Sequence, residues 1–585
     1  MTNILRYLNK KEWALIGIIL IFVIIQVWFD LELPKYMQKI TILVESGGGI
    51  DEIWQNGLNM IFCALGSLVT AIVVGFIAAR VGASFAQRLR SMQFNKVDSF
   101  SMAEIDKFSI ASLITRSTND VMQVHFVFVL GLQIILKAPI LAVWTVIRVS
   151  GSGIEWTTAI AVAIVIIAAV FAIVIIKVVP KFKKMQVLID NINTATRENL
   201  SGLPVVRAYN AEDYQEAKFE KANEDLTSTQ LYTTRAMAAM IPLIGIIMNG
   251  LMLAIYWTGA ILISNAGPSE AGILYANMIV FVTYAMMIMM AVMMIMMLFI
   301  MLPRAQVAAG RIGEVIDTET SIKDGKVTDP SNGRTGEVEF KNVSFRYPGG
   351  AEYVLKNVSF SVGRGETVAF IGSTGSGKST LINLVPRFYD TTEGSVLVDG
   401  VDVREYRLES LYDKIGYIPQ KSVLFSGTVA SNVAFGDSAK GQATESDIKK
   451  AVRIAQGKDF VEEMEKQYES DISRGGTNVS GGQKQRLSIA RAVCKEPEIY
   501  IFDDSFSALD YKTDRALRTA LKKETQGVTS MIVAQRIGTI MDADKIVVLD
   551  EGRVVGIGKH RELLGSCKVY KEIAVSQLSE KELAI

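Results

Sequence analysis

The chain has 585 residues, half of them hydrophobic, and its 61 basic and 60 acidic side chains leave a net charge of +1. A balance this close to neutral by itself argues nothing about nucleic acid; no nucleic-acid partner is expected. Cys63, Cys494 and Cys567 are scattered without a CxxC, and His125 and His560 are the only histidines. Neither a disulfide framework nor a zinc site is therefore indicated, and two histidines are too few for a histidine-based metal site.

The hydrophobic residues crowd into the first 305 or so positions, and the remainder reads as a soluble domain. Six apolar runs reach the roughly 20 residues that a bilayer demands; they centre on Trp13–Phe29, Met60–Ala79, Phe126–Ile147, Thr157–Ile176, Ile241–Ile263 and Ile273–Leu302. Arg6, Lys10 and Lys11 precede the first run, as in a signal peptide. The run ends in Asp30-Leu31-Glu32-Leu33-Pro34 rather than in a small-residue cleavage site, so it is read as an uncleaved helix. The joins after the second and fourth runs are long and basic (Arg80, Arg88, Arg90, Lys96, Lys107, Arg116; Lys177, Lys181, Lys183, Lys184, Arg197, Arg207). The joins Gly151–Glu155 and Asn265–Gly272 carry no Lys or Arg. The positive-inside rule then puts the long joins and both termini in the cytoplasm of a multi-pass protein of the cell membrane. Apolar residues recur through the long joins at three- and four-residue spacing, which predicts that the membrane helices continue past the bilayer. About 20 extra residues would carry such a helix roughly 30 Å further.

Two features inside the runs bear on function. Met278, Met286, Met287, Met289, Met290, Met293, Met294, Met296, Met297 and Met301 crowd the sixth run. Methionine suits surfaces that repack around varied apolar partners, and it is equally a helix-forming filler facing lipid or core. Lys137, just before Pro139, is a charge within an apolar run. Such a residue is a functional candidate, or it snorkels or finds an ion-pair partner.

In the soluble half, Gly372-Ser373-Thr374-Gly375-Ser376-Gly377-Lys378-Ser379-Thr380 fits the phosphate-binding loop G-x-x-x-x-G-K-[ST]. It comes after the strand-like Thr367-Val368-Ala369-Phe370-Ile371 and leads into Leu381-Ile382-Asn383-Leu384. Strand, glycine-rich loop and helix is the context in which backbone N–H groups turn inward around a phosphate with a helix N-terminus behind them. Lys378 would reach the β- and γ-phosphates of ATP or GTP, and the Ser379 hydroxyl would bind Mg²⁺. Ile499-Tyr500-Ile501-Phe502-Asp503 is a second apolar run, ending in the carboxylate that such a site needs for Mg²⁺.

Between these two motifs lies Val479-Ser480-Gly481-Gly482-Gln483-Lys484-Gln485-Arg486. Phosphate loop, VSGGQ and IYIFDD in this order and spacing resemble the ATP-binding cassette (ABC) family, and the resemblance covers essentially the whole chain as a type IV exporter half-transporter. It implies a fold of six transmembrane helices with long cytoplasmic extensions, fused to an α/β P-loop cassette. The expected boundaries are a membrane domain over 1–320, a linker over 321–336, a cassette over 337–577 and a tail over 578–585. Further residues take their roles from the resemblance. Tyr347 would stack on adenine, and Gln420 would sense Mg²⁺ and the attacking water. Ser507-Ala508-Leu509-Asp510 is similar to the D-loop. Ser112–Asp120, with Asn119 and Asp120, and the Ala208–Asp213 segment, with Tyr209 and Glu212, resemble the two coupling helices. The signature Val479, Ser480, Gly481, Gly482 and Gln483 would cover the γ-phosphate held by the opposite subunit, so a dimer is implied.

Two positions depart from the family pattern. Where the family usually has Glu after the strand-ending Asp, this chain has Asp504; where it has the switch His, this chain has Gln535 in Val533-Ala534-Gln535-Arg536. Asp is one methylene shorter, a shortfall of roughly an ångström that can cost about 10²-fold in rate. Gln is neutral at every pH and cannot offer the charge of a protonated His. A homodimer would carry both defects in both of its sites. The expectation is therefore a heterodimeric exporter of amphipathic, drug-like compounds of the kind found in bacteria. This chain would supply the degenerate site, and a different half-transporter would supply the Glu and His. The rival expectations are an exporter of one defined peptide, lipid or haem precursor, and a nucleotide-gated membrane regulator that does not pump. The six runs exclude a soluble cassette ATPase acting on DNA or ribosomes.

Overall fold

The computed structural model describes residues 2–150, 154–328, 335–436 and 441–578. Part of the third join (151–153), part of the expected linker (329–334) and most of the expected tail (579–585) lie outside the described residues. The chain divides into two compact units, Met1–Val97 with Ala111–Thr318, and Asp98–Ile110 with Glu319–Ile585.

Among the described residues, the first unit contains six helices long and apolar enough to cross a membrane. They run over Lys10–Glu45, Ile50–Asp98, Ile110–Val149, Ile154–Ser201, Glu212–Asn265 and Pro268–Asp317. The second has 49 residues, about 74 Å at 1.5 Å per residue, more than twice the ~30 Å of a hydrocarbon core. The long basic joins are thus helical, as their periodicity predicts. Ile61, Phe62, Leu65, Leu68, Val69, Ile72 and Phe76 of this helix are all exposed. Water would not tolerate so continuous an apolar face, whereas lipid accepts it. The core among the helices is built from residues such as Ile19 and Val27 of the first, Trp156 and Ile160 of the fourth, Ile255 of the fifth, and Phe281 and Met289 of the sixth. Pro34, Pro139 and Pro242 stand inside helices, where packed neighbours in a membrane domain tolerate them.

Lys137 has a partner: its Nζ stands 3.0 Å from Asp30 Oδ2, and the Ser67 hydroxyl donates to Asp30 Oδ1. Nearby in sequence, Arg148 Nη2 lies 2.9 Å from Glu32 Oε1, which also accepts from Lys35. The first three helices are thus joined by compensated charges. Of the sixth-helix methionines, Met278, Met289 and Met296 are buried, whereas Met286, Met290, Met293 and Met297 are exposed. That exposed set, spaced four, three and four residues apart, forms one stripe along the helix.

Among the described residues the second unit carries two multi-stranded sheets, beside a two-stranded pair of Gly427–Thr428 with Asp471–Ile472. The larger has six strands in the order Arg553–Gly558, Lys545–Asp550, Thr367–Gly372, Thr529–Val533, Ile499–Asp503, Ile415–Ile418; all neighbours are parallel except the antiparallel edge pair Lys545–Asp550/Arg553–Gly558. Its interior strands are apolar on both faces, as parallel strands covered on both sides must be. The smaller, antiparallel sheet orders Leu355–Val362, Val338–Phe345, Glu393–Val398 and Val401–Asp402. One core of aliphatic and aromatic side chains packs the two sheets together, and a second underlies the helices between Val429 and Leu521.

The short helix Met102–Phe108 belongs to this second unit. Ser101 and Glu104 close a capping box, Glu104 Oε1 accepts from the Ser321 N–H at 3.1 Å, and the Tyr389 hydroxyl donates to Asp106 Oδ2 at 3.1 Å. Residues Ser112–Asp120, expected to resemble a coupling helix, lie in the third long helix. There Asn119 is exposed, and the Asp120 carboxylate turns inward, 3.2 Å from Arg311. In the same stretch Arg116 Nη1 lies 2.7 Å from Glu314 Oε2 of the sixth helix. At the second coupling segment, Leu203–Ala208 forms a short helix, Tyr209 comes next, fully in the open, and Glu212 opens the fifth long helix.

Candidate nucleotide site

Phosphate-loop chemistry starts with a strand whose end is fixed on both sides. Thr367–Gly372 is flanked by Thr529–Val533 and Lys545–Asp550, with Val368, Ala369, Phe370 and Ile371 buried. At Gly372 a Cβ would stand 2.0 Å from the Leu549 carbonyl oxygen, so the strand can leave the sheet here only without a side chain. At Gly377 φ is +96°, and a Cβ would meet Leu355 Cδ2 at 2.8 Å; glycine alone lets the loop turn into the helix Lys378–Asn383. Ser373, Thr374, Gly375 and Ser376 make the turn between, at the carboxyl ends of the parallel strands where open α/β sheets bind ligands.

Lys378 Nζ donates to the carbonyl oxygens of Gly372 (2.9 Å) and Ser373 (2.7 Å) and to the Ser376 hydroxyl (3.3 Å). It curls over its own loop, holding positive charge where the loop amides converge. Burial pushes its pKa down, while the nearby Asp504 and Asp503 act in the opposite direction. The Ser379 hydroxyl donates to Asp503 Oδ1 at 2.8 Å. A hydroxyl and a buried carboxylate held in contact are oxygen donors of the kind Mg²⁺ selects, so these residues fit the ion the sequence calls for. Burial raises the Asp503 carboxyl above its ordinary value, with the Ser379 hydrogen bond opposing.

Asp504 comes directly after it and is 8 % exposed. Its backbone is left-handed, with φ at +48°, a conformation that Asp tolerates better than most residues. Its N–H donates to the Val533 carbonyl (3.0 Å), and its own carbonyl accepts from the Ser507 hydroxyl (2.9 Å). Its carboxylate accepts from Gln535 Nε2 at 2.8 Å. The two positions at which the sequence departs from its family therefore touch each other. Burial raises the Asp504 carboxyl; a hydrogen bond from Gln420 and the charges of Lys378 and Arg536 work against it. Gln420 thus joins the same cluster.

Tyr347 is tied to the loop helix: its hydroxyl and Thr380 Oγ1 are 2.8 Å apart, and its ring meets Tyr389 edge-on at 5.2 Å. A cavity of about 500 Å³ opens beside it, lined among others by Tyr347, Tyr389, Arg346, Thr392, Ser101 and Ser321. Ser101 precedes the short helix Met102–Phe108, so this segment borders the space next to the aromatic loop. Sequence reasoning missed Glu104, Asp106 and Tyr389; the signal available was the Ser101-x-x-Glu104 capping box.

The signature lies at the start of another helix, Gly481–Cys494. Val479 is buried in the helical core. The Ser480 N–H donates to Gln483 Oε1 at 2.8 Å, and the Ser480 hydroxyl accepts from the Gln483 N–H at 3.3 Å. This reciprocal cap fixes Gly481 and Gly482 in the first turn, where unpaired amides and the helix dipole favour an anion. Asp510 caps the next helix, Tyr511–Glu524, through the Thr513 N–H at 2.9 Å.

The family models agree with this anatomy. Residues 16–300 match the ABC transporter transmembrane region, and residues 355–507 match ABC transporter. The chain is 39% identical over 518 residues to an uncharacterized ABC transporter ATP-binding protein of Mycobacterium tuberculosis, covering 88% of this chain and 87% of that protein. It is 34% identical to one of Bacillus subtilis, covering 98% of each. It is 31% identical to an ATP-dependent lipid A-core flippase of Pseudomonas aeruginosa, covering 86% of this chain and 82% of the other. Its fold matches a bacterial Atm1-family ABC exporter with ATP bound at a TM-score of 0.78 and 24% identity, covering 97% of this chain and 99% of that one. The chain belongs to the ABC transporter family: it is a half-transporter, in which a membrane domain of six apolar helices is fused to a cassette that binds ATP and couples its hydrolysis to transport.

Proposed function

We propose that this chain is the degenerate-site half of a heterodimeric exporter of amphipathic, drug-like compounds in a bacterial cell membrane. The observation that carries the reading is the direct bond between Gln535 Nε2 and Asp504 Oδ2. Both positions that would polarise water and hold the γ-phosphate are altered, and the altered residues satisfy each other. Lys378, Ser379 and Asp503, with Gln420 beside them, keep what is needed to grip MgATP. Ser480 and Gly482 keep what is needed to cap a nucleotide held by a different subunit. On this reading the companion supplies Glu and His, its own site does most of the hydrolysis, and this chain's site stays closed for longer as a clamp. Closure then requires only that ATP favour the closed pair by a few kcal/mol. The charge asymmetry of the joins supports cytoplasmic termini, and the organisms of the relatives support a bacterial host. The exposed stripe of Met286, Met290, Met293 and Met297 supports a substrate surface that adapts to varied apolar shapes. A lipid substrate is the second reading, favoured by the likeness to lipid A-core flippases.

In the assembled transporter, replacing the companion's catalytic Glu by Gln should nearly abolish ATP hydrolysis, and Asp504→Asn should change it mildly. Equal losses from the two would overturn the assignment. ATP-driven dye uptake into inside-out vesicles separates a pump from a regulator.

A further inference from the structure

The last helix of the cassette, Lys568–Gln577, ends beside the switch position. Tyr570 and Ala574 are fully buried in a core shared with Ala534, Ile537 and Ile540, and His560 Nδ1 lies 2.6 Å from the Tyr570 hydroxyl. This packing fixes the helix against the strand end that carries Gln535. At its final residue, the Gln577 amide makes two bonds to backbone. Its Oε1 accepts from the Ile537 N–H at 2.8 Å, and its Nε2 donates to the Gln535 carbonyl at 2.8 Å. The helix Ile537–Ile540 begins after Arg536, whose side chain caps nothing, so Gln577 supplies from another element the acceptor that a helix N-terminus lacks. The backbone on either side of Arg536 is thereby clamped, and the clamped residue Gln535 reaches Asp504 at 2.8 Å.

We infer that Gln577 is a positioning residue for the nucleotide site: through the Gln535 backbone it sets where the switch amide stands, so the end of the C-terminal helix controls how firmly this chain's site holds its nucleotide. The inference rests on the reading of Gln535 as the switch position. Gln577 is exposed, so changing it leaves the core intact. Gln577→Met keeps the length and loses both bonds; Gln577→Glu keeps the acceptor and loses the donor.

The test is a double-mutant cycle in the full-length transporter in lipid nanodiscs. The readout is the lifetime of photolabelling azido-ATP on this chain, resolved by gel from any companion. Each backbone bond is worth about a factor of five. Gln577→Met should therefore shorten the lifetime by up to about 25-fold and Gln577→Glu by about 5-fold. On a Gln535→Ala background Gln577→Met should add nothing, because it acts through that residue. An unchanged lifetime in Gln577→Met, or the same loss in both backgrounds, overturns the inference while leaving the switch reading intact. No effect of Gln535→Ala itself sinks the switch reading, and the inference with it.

Discussion

Restoring the two altered positions should restore hydrolysis, by an amount the geometry bounds. The backbone at Asp504 is held by its N–H on Val533 and its carbonyl under Ser507, so an added methylene goes into reach rather than into backbone movement. Asp504→Glu therefore advances the carboxylate by roughly an ångström, the scale of misplacement that costs about 10²-fold, or about 2.7 kcal/mol of barrier. The single change drives the longer side chain against the Gln535 amide, which now occupies that space; adding Gln535→His replaces the amide with a group that can carry charge. Glu tolerates the left-handed backbone at +48° less well than Asp, which takes back about 1 kcal/mol. The net expectation for the double variant is about a 20-fold rise in kcat at this site with KM for ATP unchanged. It is measured by phosphate release with the companion's own catalytic Glu replaced, so that only this site turns over. A double variant that binds ATP as the parent does and turns over no faster refutes the reasoning.

Other outcomes rest on the same structure. Because burial raises the Asp504 carboxyl, the folded state holds that proton more tightly than the unfolded chain, and the ionised group costs stability at neutral pH. Asp504→Asn should therefore raise the melting temperature of the nucleotide-free protein near pH 7.5, with the gain vanishing as pH falls below the ordinary carboxylate range near 4; a gain independent of pH contradicts this. Lys137→Met strands Asp30 among the membrane helices. With each partner about a fifth exposed, the loss should be about 1–3 kcal/mol, below that of a fully buried pair. Adding Asp30→Asn should recover most of it in thermal unfolding of the detergent-solubilised protein. Converting Met286, Met290, Met293 and Met297 together to Leu should leave stability within about 0.5 kcal/mol, since all four are exposed, and should narrow the range of compounds moved in vesicle assays.

Much of this was legible in the sequence because it is carried by patterns with strong physical causes. Runs of about 20 apolar residues have few alternatives to a membrane helix, and the phosphate loop, signature and strand-ending Asp503 fall where strand, turn and helix leave only one arrangement. What escaped was set by tertiary contact. Nothing local says that the Asp504 carboxylate and the Gln535 amide meet, since 31 residues separate them and only the parallel pairing of Val533 with Asp503 brings them together. Nor does the sequence show that Arg116 and Asp120 pair with Glu314 and Arg311 of the sixth helix. Likewise, Lys137 gave no hint of Asp30, more than a hundred positions earlier. Gln577 is invisible to motif reading, because its role is two hydrogen bonds to backbone.

The most direct test of the division of labour between two unlike subunits is to purify this chain alone, reconstitute it in liposomes, and measure ATP turnover and dye transport beside the same chain assembled with a half-transporter that carries Glu and His at the two altered positions. The account predicts ATP binding without brisk hydrolysis or transport in the first case and both activities in the second. Rapid turnover and transport by the self-paired chain would contradict it.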